Sequence, residues 1–347
     1  MSDIAAALAR QADSCDHIGS PLYGSLLRGL LSDFRDGGLT FDLLDGISEQ
    51  PVHDAIPLRY LAAGHRLALS GSAPELARHY PSCGGSWSGQ DVTGDFLQAV
   101  RAHQPMVEAA LSQQVQTNEI GRAVVLTCAL SHVMALTGLP LRTLELGASA
   151  ALLSRLPWFR VDIGTGTCGP TDATVTFGPE WCERPPATIV GALQIVDQAA
   201  GDVSPIDPTT DDGRLRIQSF VWPDQLERIG RLRAALQVAA AHPLHVDAAD
   251  AGEWLQRRLE GPLPAQTATV VFHSIVWQYL PGSTRDAVRG ALARAGANAT
   301  IDAPLAWIRM EPATPTHADV RMTMWPGGHE TVLAEVGYHG HAVRWQL

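Results

Sequence analysis

The stretch LRTLELGASAALLSRL, residues 141–156, decides the fold of this chain. Three leucines in its first six residues have the spacing of a buried strand, and the small and leucine residues after Gly147 predict a tight turn into a helix. Because glycine has no Cβ, the backbone at Gly147 is expected to approach a ligand closely. Free amide groups at the helix start, at Ala148 and Ser149, are expected to face the same crevice. The stretch therefore predicts a nucleotide-type site.

The number of glycines narrows the choice of cofactor. The turn ELGASA has one glycine where a dinucleotide fingerprint has three, and no phosphate-loop lysine follows it. Without a pyrophosphate to bind, S-adenosylmethionine is the predicted cofactor, and Glu145 and Gly147 belong to its site. The alternative is a tight turn that binds no ligand, since such turns occur in many α/β folds.

Length and composition limit the classes of function. The chain has 347 residues, 46% of them apolar, with nine tryptophans, which predicts a folded protein of about two domains. A net charge of −11 argues against a nucleic-acid partner or an anionic membrane surface. We therefore expect a small or neutral acceptor molecule as substrate, and the oligomeric state stays open.

Localisation and metal binding rest on weaker signals. Residues 1–16 predict an amphipathic helix rather than a secretory signal, and residues 123–139 predict a buried helix shorter than the roughly 20 residues of a membrane span. Five cysteines without a CxxC pair favour reduced thiols in the cytoplasm. No metal site is predicted, because the pair His339 and His341 has no evident third ligand.

The periodicity changes at the start of the decisive stretch. Residues 1–139 predict an all-helical N-terminal domain, in which Ser20 caps a helix and Gly138 stops the last one. Residues 140–347 alternate strands and helices, which predicts a doubly wound, mostly parallel sheet of about seven strands. Two strand pairings are also predicted. Strands 158–163 and 173–177 are expected to form a hairpin, and strands 320–325 and 342–345 an antiparallel pair at the edge of the sheet.

Two polar residues precede the first strand. Arg122 is expected to pair with the methionine carboxylate of the cofactor, and Asn118 to donate a hydrogen bond to it. The alternative is a solvated helix end with an internal pair between Glu119 and Arg122.

Two carboxylates are expected to hold the adenosyl group. By order along the chain, Asp202 follows the second strand and would bind the ribose hydroxyls. Asp250 follows the third strand and would bind the adenine amino group. Asp162 is a rival for the first role, because it lies only fifteen positions after Gly147.

A second group of residues predicts the acceptor pocket. His273 and Ser274 end a continuous apolar strand, at the edge where such sheets place reactive groups, and His273 is the candidate general base. Trp277 and Tyr279 follow and would line the pocket. Trp222 precedes a helix start that would face the same crevice. A structural histidine at a strand end is the alternative for His273.

The motifs VQTNEIGR, LELGASAALL, SPIDP, FVWPDQ, VVFHSIVWQYLP and LAWIRMEP together resemble an uncharacterised bacterial family, domain of unknown function 2332, nearly from end to end. The resemblance implies a class I methyltransferase-like domain behind a helical N-terminal half. In that family the turn continues GASAGLNL, whereas here Ala151 and Leu153 replace a glycine and an asparagine. This departure predicts weakened or altered ligand binding.

Two other functions compete with methyl transfer. The first is a non-catalytic binding or scaffold protein that keeps the sheet without the cofactor site. The second is a hydrolase, because GASAA nearly matches the GxSxG elbow, with Ser149 as nucleophile, Asp250 or Asp302 as acid and His329 as base.

Overall fold

The structure is a computed structural model that describes residues 3–347. These residues form two compact units, one of residues up to 117 with 210–233, the other of 118–209 with 234–347. The division differs from the predicted boundary at residue 139. The reason is that the helix before the first strand packs on the sheet and so belongs with it.

The helices and strands have the following bounds. The α-helices are α1 (Asp3–His17), α2 (Pro21–Arg35), α3 (Leu39–Leu44), α4 (Ile56–Leu69), α5 (Pro74–Ala77), α6 (Thr93–Ala102), α7 (Gln104–Leu111), α8 (Ala123–Thr137), α9 (Asp211–Ser219), α10 (Leu226–Ala241), α11 (Ala251–Arg258) and α12 (Gly282–Ala297). The strands are β1 (Leu141–Leu146), β2 (Arg160–Asp162), β3 (Thr167–Cys168), β4 (Thr176–Phe177), β5 (Cys182–Arg184), β6 (Ile195–Asp202), β7 (Val246–Ala248), β8 (Ala268–Ser274), β9 (Leu305–Pro312), β10 (Ala318–Trp325), β11 (His329–Val336) and β12 (Val343–Trp345).

The first unit is helical, as its periodicity predicts, and residues 3–140 contain no strand. Leucines and aromatic side chains fill its core, where the rings of Tyr60 and Phe96 meet edge to face. The start of α2 differs from the prediction, because the Ser20 hydroxyl does not cap the helix but donates to Asp224 at 2.6 Å. The other oxygen of Asp224 accepts from the Leu22 amide at 3.2 Å. A residue two hundred positions away therefore performs the capping.

The second unit is built on a nine-stranded sheet of order β5-β12-β11-β10-β9-β8-β1-β6-β7 among the described residues. The strands β7, β6, β1, β8 and β9 are parallel neighbours, and β10 to β12 add antiparallel strands. The strand β1 is central, since Leu144 lies opposite Ala199 on one side and Val271 on the other. This explains why its leucines are fully buried.

Several sequence predictions about the strands are wrong. The sheet has nine strands rather than about seven, because β5 and β11 are not evident from the sequence pattern. The final strand β12 pairs with β11 and not with β10. The expected hairpin does not form, since β2 pairs in parallel with β4 and antiparallel with β3 in a separate three-stranded sheet. The strand β6 also includes Asp202 as its last residue, whereas the sequence analysis placed this acid after the strand.

The helix α8 ends as predicted, with Gly138 in the left-handed conformation at φ 68°. Its segment Ile120–Thr137 is long and apolar enough to cross a membrane by composition alone, but 72% of it is buried within the protein. Burial of this kind is typical of a core helix.

Candidate functional site

The turn after β1 does not lead into an α-helix, which corrects the prediction. Leu153–Trp158 is a 3-10 helix, and the residues before it alternate in handedness, with Ser149 at φ 53° and Ala151 at φ 50°. The buried Arg155 donates to the carbonyl oxygens of Ala150 at 3.1 Å and Ala151 at 2.6 Å. The left-handed residues Ser149 and Ala151 interrupt an α-helical pattern, and the Ala151 carbonyl also accepts from the Ser154 amide at 3.1 Å, an i to i+3 bond of the 3-10 type.

The amide groups of this turn are bonded to the protein. The Ser149 amide donates to Asp202 Oδ2 at 2.8 Å, and the Ala148 amide donates to the Gly201 carbonyl at 3.2 Å. The predicted free amides at a helix start are therefore absent from Ala148 and Ser149. Both groups instead tie the turn after β1 to the end of β6.

The expected hollow beside Gly147 is filled, which is a second correction. A Cβ added to this residue would lie 2.3 Å from Cγ2 of Val276, and its φ of 63° is left-handed. Glycine is required here because the loop after β8 packs against the bare backbone. The missing side chain therefore makes room for Val276 and not for a ligand.

Three of the predicted residues meet at the carboxyl ends of β1 and β6. Asp202 ends β6, the strand next to β1, and is 8% exposed, whereas Asp162 ends β2 in the separate small sheet. Of these two acids, Asp202 is therefore the one that ends the strand next to β1. Asp202 Oδ1 accepts from the Ser204 amide at 2.8 Å, and Asn118 Nδ2 donates to Ser149 Oγ at 3.1 Å. Asn118, Ser149 and Asp202 thus form one polar cluster.

Glu145 lies in the interior beside this cluster. Its carboxylate accepts from the Ser154 hydroxyl at 2.5 Å. Burial raises the pKa of Glu145 to about 7, although the Ser154 hydrogen bond and the charge of Arg155 oppose the shift. A carboxyl group of this kind exchanges a proton near neutral pH.

Arg122 binds backbone rather than standing free at a helix end. Its Nε donates to the Tyr338 carbonyl at 3.1 Å, and its Nη1 donates to the carbonyl oxygen of Ser274 at 3.1 Å and to the Ser274 hydroxyl at 3.3 Å. Glu119 accepts from the Gly121 amide at 3.1 Å and lies 3.0 Å from Nδ1 of His339. This contact spans 220 positions, so the sequence spacing held no sign of it.

Two further residues have structural roles that the sequence analysis did not assign to them. Asp250 caps α11 by accepting from the Gly252 amide at 2.8 Å, and its second oxygen accepts from the Thr284 hydroxyl at 2.6 Å. Although burial opposes ionisation, these hydrogen bonds lower the pKa of Asp250. Trp222 belongs to the first unit, where its ring packs against Tyr23.

His273 is held by a residue that the sequence analysis missed. Its Nδ1 lies 2.7 Å from Glu311 Oε1, and the same oxygen accepts from the amides of Val276 and Trp277. Since a carboxylate only accepts, Nδ1 carries the proton and Nε2 keeps a lone pair. This Nε2 is buried and has no hydrogen-bond partner among residues 3–347. The motif LAWIRMEP contains Glu311 at the end of the neighbouring strand, which is the signal that was available.

Aromatic rings surround this pair on one side of the sheet. Trp277 stacks on the His273 ring, with centroids 5.3 Å apart, and Trp307 lies 5.9 Å away. Tyr279, in contrast, is 53% exposed. Trp277 therefore covers the imidazole instead of lining an open pocket.

The residues of the predicted hydrolase are not brought together. Ser149 follows β1 and His329 begins β11, and the strands β8, β9 and β10 lie between them. Four strand spacings of about 4.8 Å put these two strands roughly 19 Å apart. Asp302 binds the Gln266 side chain and backbone outside the sheet.

A cavity of about 900 Å³ in the second unit lies at the opposite edge of the sheet. It is lined by residues after α11 and before β9, among them Leu263 and Ala303, where β8 and β9 begin. Its position is at the amino ends of the parallel strands, whereas the predicted site is at their carboxyl ends. Among the described residues, no group of three or more His, Cys, Asp or Glu side chains is placed to hold a metal ion.

The fold and these contacts define a mixed α/β protein with a mostly parallel sheet and a polar cluster at the carboxyl ends of two central strands. The chain belongs to the family described as "uncharacterized protein conserved in bacteria (DUF2332)", which matches residues 5–345. No curated protein and no solved structure matches it.

Proposed function

We propose that the second unit is a methyltransferase-type domain that binds S-adenosylmethionine and acts on a small or neutral acceptor. The observation that carries the proposal is the strand order β7-β6-β1-β8-β9, which along the chain is third, second, first, fourth, fifth. Doubly wound nucleotide-binding sheets share this order and bind ligands outside the carboxyl ends of their strands. The buried Asp202 lies at that edge, at the end of the second strand.

The residues at this edge fit an adenosyl group in part. Asp202 and Asn118 are polar, adjacent to the turn after β1 and on the side that the strand order favours. Gly147 does not fit, because Val276 occupies the space beside it, and Asp250 does not fit, because it caps α11. The proposal therefore places the cofactor against Asp202 and Asn118, and away from Gly147.

His273 is the residue that would remove a proton from the acceptor. Its tautomer is fixed by Glu311, and the lone pair on Nε2 is free to accept a proton. The covering ring of Trp277 would have to move for an acceptor to reach Nε2.

A second candidate function is a non-catalytic binding protein, which the contact between Gly147 and Val276 favours specifically. The protein itself bonds or fills the groups that were expected to hold the cofactor. These are the turn amides of Ala148 and Ser149, the space beside Gly147 and the carboxylate of Asp250. A sheet that had lost its cofactor site would have these features.

Titration calorimetry with S-adenosylmethionine separates the two. The first proposal expects micromolar binding that weakens about ten- to hundredfold in Asp202→Asn, since one charge-assisted hydrogen bond is worth about 1.5–3 kcal/mol. The control Asp286→Asn alters an exposed acid on α12 and should bind as the unaltered protein does. Folded protein that gives no binding heat would overturn the transferase and favour the binding protein.

A further inference from the structure

The geometry points to a serine–histidine pair in the first unit, Ser82 and His65, that accepts an acyl group from an ester carrying an anionic group. This inference does not rest on the function proposed for the second unit. Ser82 follows α5 in a short 3-10 turn, and His65 lies on α4. Ser82 Oγ is 2.7 Å from Nε2 of His65.

The hydrogen bonds of His65 show which of its ring nitrogens carries the proton. Nδ1 of His65 is 3.1 Å from the Ser219 carbonyl oxygen, which only accepts, so Nδ1 carries the hydrogen. Nε2 therefore accepts, and the Ser82 hydroxyl donates to it. A nucleophile bonded to a base that a third group orients is the arrangement that activates serine.

Burial keeps the imidazole neutral. His65 is completely buried, and burial lowers its pKa to about 4. The carbonyl hydrogen bond of Ser219 opposes this shift, and the nearby charge of Arg233 reinforces it. The imidazole is therefore neutral at neutral pH and its Nε2 lone pair accepts the Ser82 hydrogen bond, while the lowered pKa makes His65 a weaker base and slows the proton transfer.

Of the two residues, Ser82 borders a cavity and is 5% exposed, whereas His65 is completely buried. Ser82 lines a cavity of about 970 Å³, together with the loop of Gly84 and Gly85.

The described lining includes Arg78 and Arg233 and no acidic side chain. Arg78 is ion-paired with Glu75, whereas Arg233 donates to the side-chain oxygen of Gln218 and to the Ser82 carbonyl oxygen. A guanidinium group bonded to neutral acceptors, as in Arg233, favours a substrate that carries a carboxylate or phosphate group.

The reaction balances without any co-reactant except water. Ser82 Oγ attacks the ester carbonyl carbon while its proton moves to His65 Nε2, and the bond to the alcohol oxygen breaks as that oxygen takes the proton. Water then attacks the acyl-serine by the same route and releases the acid and free Ser82.

The oxyanion is stabilised weakly, which sets the expected rate. The amides of Cys83, Gly84 and Gly85 donate to Tyr80 and Pro81 carbonyls within the loop. The Arg233 guanidinium donates to the Ser82 carbonyl oxygen at 2.9 Å. Since one missing oxyanion donor slows such enzymes about 10²–10³-fold, we expect slow acylation, best seen as covalent labelling.

The test is labelling of the full chain with an alkyl fluorophosphonate, followed by peptide mass spectrometry. We expect one adduct per chain, on Ser82, that is lost in Ser82→Ala and in heat-unfolded protein. The matched control Ser86→Ala removes another serine of the same cavity and should label as the unaltered protein does. Since Ser82→Ala needs to be folded to be informative, its circular dichroism melting curve is recorded alongside.

A second measurement tests the anionic preference. Para-nitrophenyl esters with and without a terminal carboxylate are compared, and we expect the anionic ester to acylate about two- to fivefold faster, the effect of one exposed ion pair. Arg233→Gln should remove this difference, whereas Arg78→Gln, which alters a guanidinium group paired with Glu75, should keep it. An adduct on Ser149, no adduct on folded protein, or equal rates for the two esters would overturn the proposal.

Discussion

His65 in the first unit and His273 in the second are both completely buried, yet their surroundings differ. His65 bonds through both ring nitrogens, to the Ser219 carbonyl and the Ser82 hydroxyl, and Ser82 lines a cavity. His273 has a carboxylate partner in Glu311, but Trp277 stacks on its ring. The stronger hydrogen bond thus belongs to the histidine that is covered.

The contrast extends to the groups around each histidine. At the carboxyl ends of β1, β6 and β8, polar side chains such as Asp202 and Arg122 bind backbone and hold loops in place. In the first unit the Ser82 hydroxyl bonds to His65 at 2.7 Å, and Ser82 also lines a cavity. Buried polar groups serve structure when every bond is made to the protein, and access to a cavity is what allows them to act on a ligand.

The largest expected effect is on the stability of the second unit, and it tests whether Glu311 stabilises the loop after β8 and the position of His273. Glu311→Ala leaves the Nδ1 hydrogen of His273 and the amides of Val276 and Trp277 without their acceptor. Since each buried donor left unpaired costs about 1–3 kcal/mol, we expect a loss of about 3–5 kcal/mol in the free energy of unfolding. Urea unfolding followed by tryptophan fluorescence measures it.

The control for this variant is Glu330→Ala, because Glu330 forms exposed ion pairs with Arg309 and Arg321. Its loss should stay below about 1 kcal/mol. Equal losses of unfolding free energy in the two variants would contradict the proposed difference between the two histidines, since Glu311 would then not stabilise the position of His273.

The next effect sharpens the role of Gly147. Gly147→Ala places a Cβ 2.3 Å from Val276 and keeps a left-handed backbone, so we expect a loss of about 2–4 kcal/mol. In a background of Val276→Ala the same substitution should cost about 1–2 kcal/mol less, because the clashing Cγ2 atom is gone. Thermal and urea unfolding of the four proteins give this coupling. Additive losses would mean that the space beside Gly147 is open.

The smallest effect concerns pH. The folded protein holds a proton on Glu145 up to about pH 7, whereas the unfolded chain loses it near the ordinary value of 4.5. Between these values the unfolded state binds fewer protons, so stability falls as pH rises, by about 2 kcal/mol from about pH 5.5 to 7. The lowered pKa of His65 acts with the opposite sign, since there the unfolded state binds more protons.

Substitution isolates the contribution of Glu145 from that of His65. Urea unfolding at the two pH values should show that Glu145→Gln lacks this fall in stability, while the exposed control Asp197→Asn on β6 retains it. A slope unchanged in Glu145→Gln would contradict a proton held on this carboxyl group.

The sequence predicted the elements with strong local signals. The strand β1, the helical residues before it and the stop of α8 at Gly138 are confirmed, because apolar spacing and a left-handed glycine are properties of neighbouring residues. The prediction of an α-helix after Gly147 is wrong, because Ser149 and Ala151 have left-handed φ values and the chain continues as a 3-10 helix. Ala151 keeps a left-handed φ of 50°, the conformation that suits the glycine found in the resembling family.

For the candidate site, the sequence selected Asp202, Asn118 and Ser149, which do meet, because strand order along the chain places strand ends at one edge. It did not find Glu311 as the partner of His273, or His65 as the partner of Ser82. These contacts join residues 38 and 17 positions apart, and no local pattern encodes them.

The amino-acid sequence by itself determined where the chain turns from helices to a parallel sheet, and which family it belongs to, because both are carried by short-range patterns. Only the tertiary structure decided how the polar groups are used. Val276, Arg155 and Glu311 fill or bind the groups that the sequence offered to a ligand. Packing and hydrogen bonds between distant residues assign each group to structure or to a cavity, since a buried polar atom must find its partner wherever the fold supplies one.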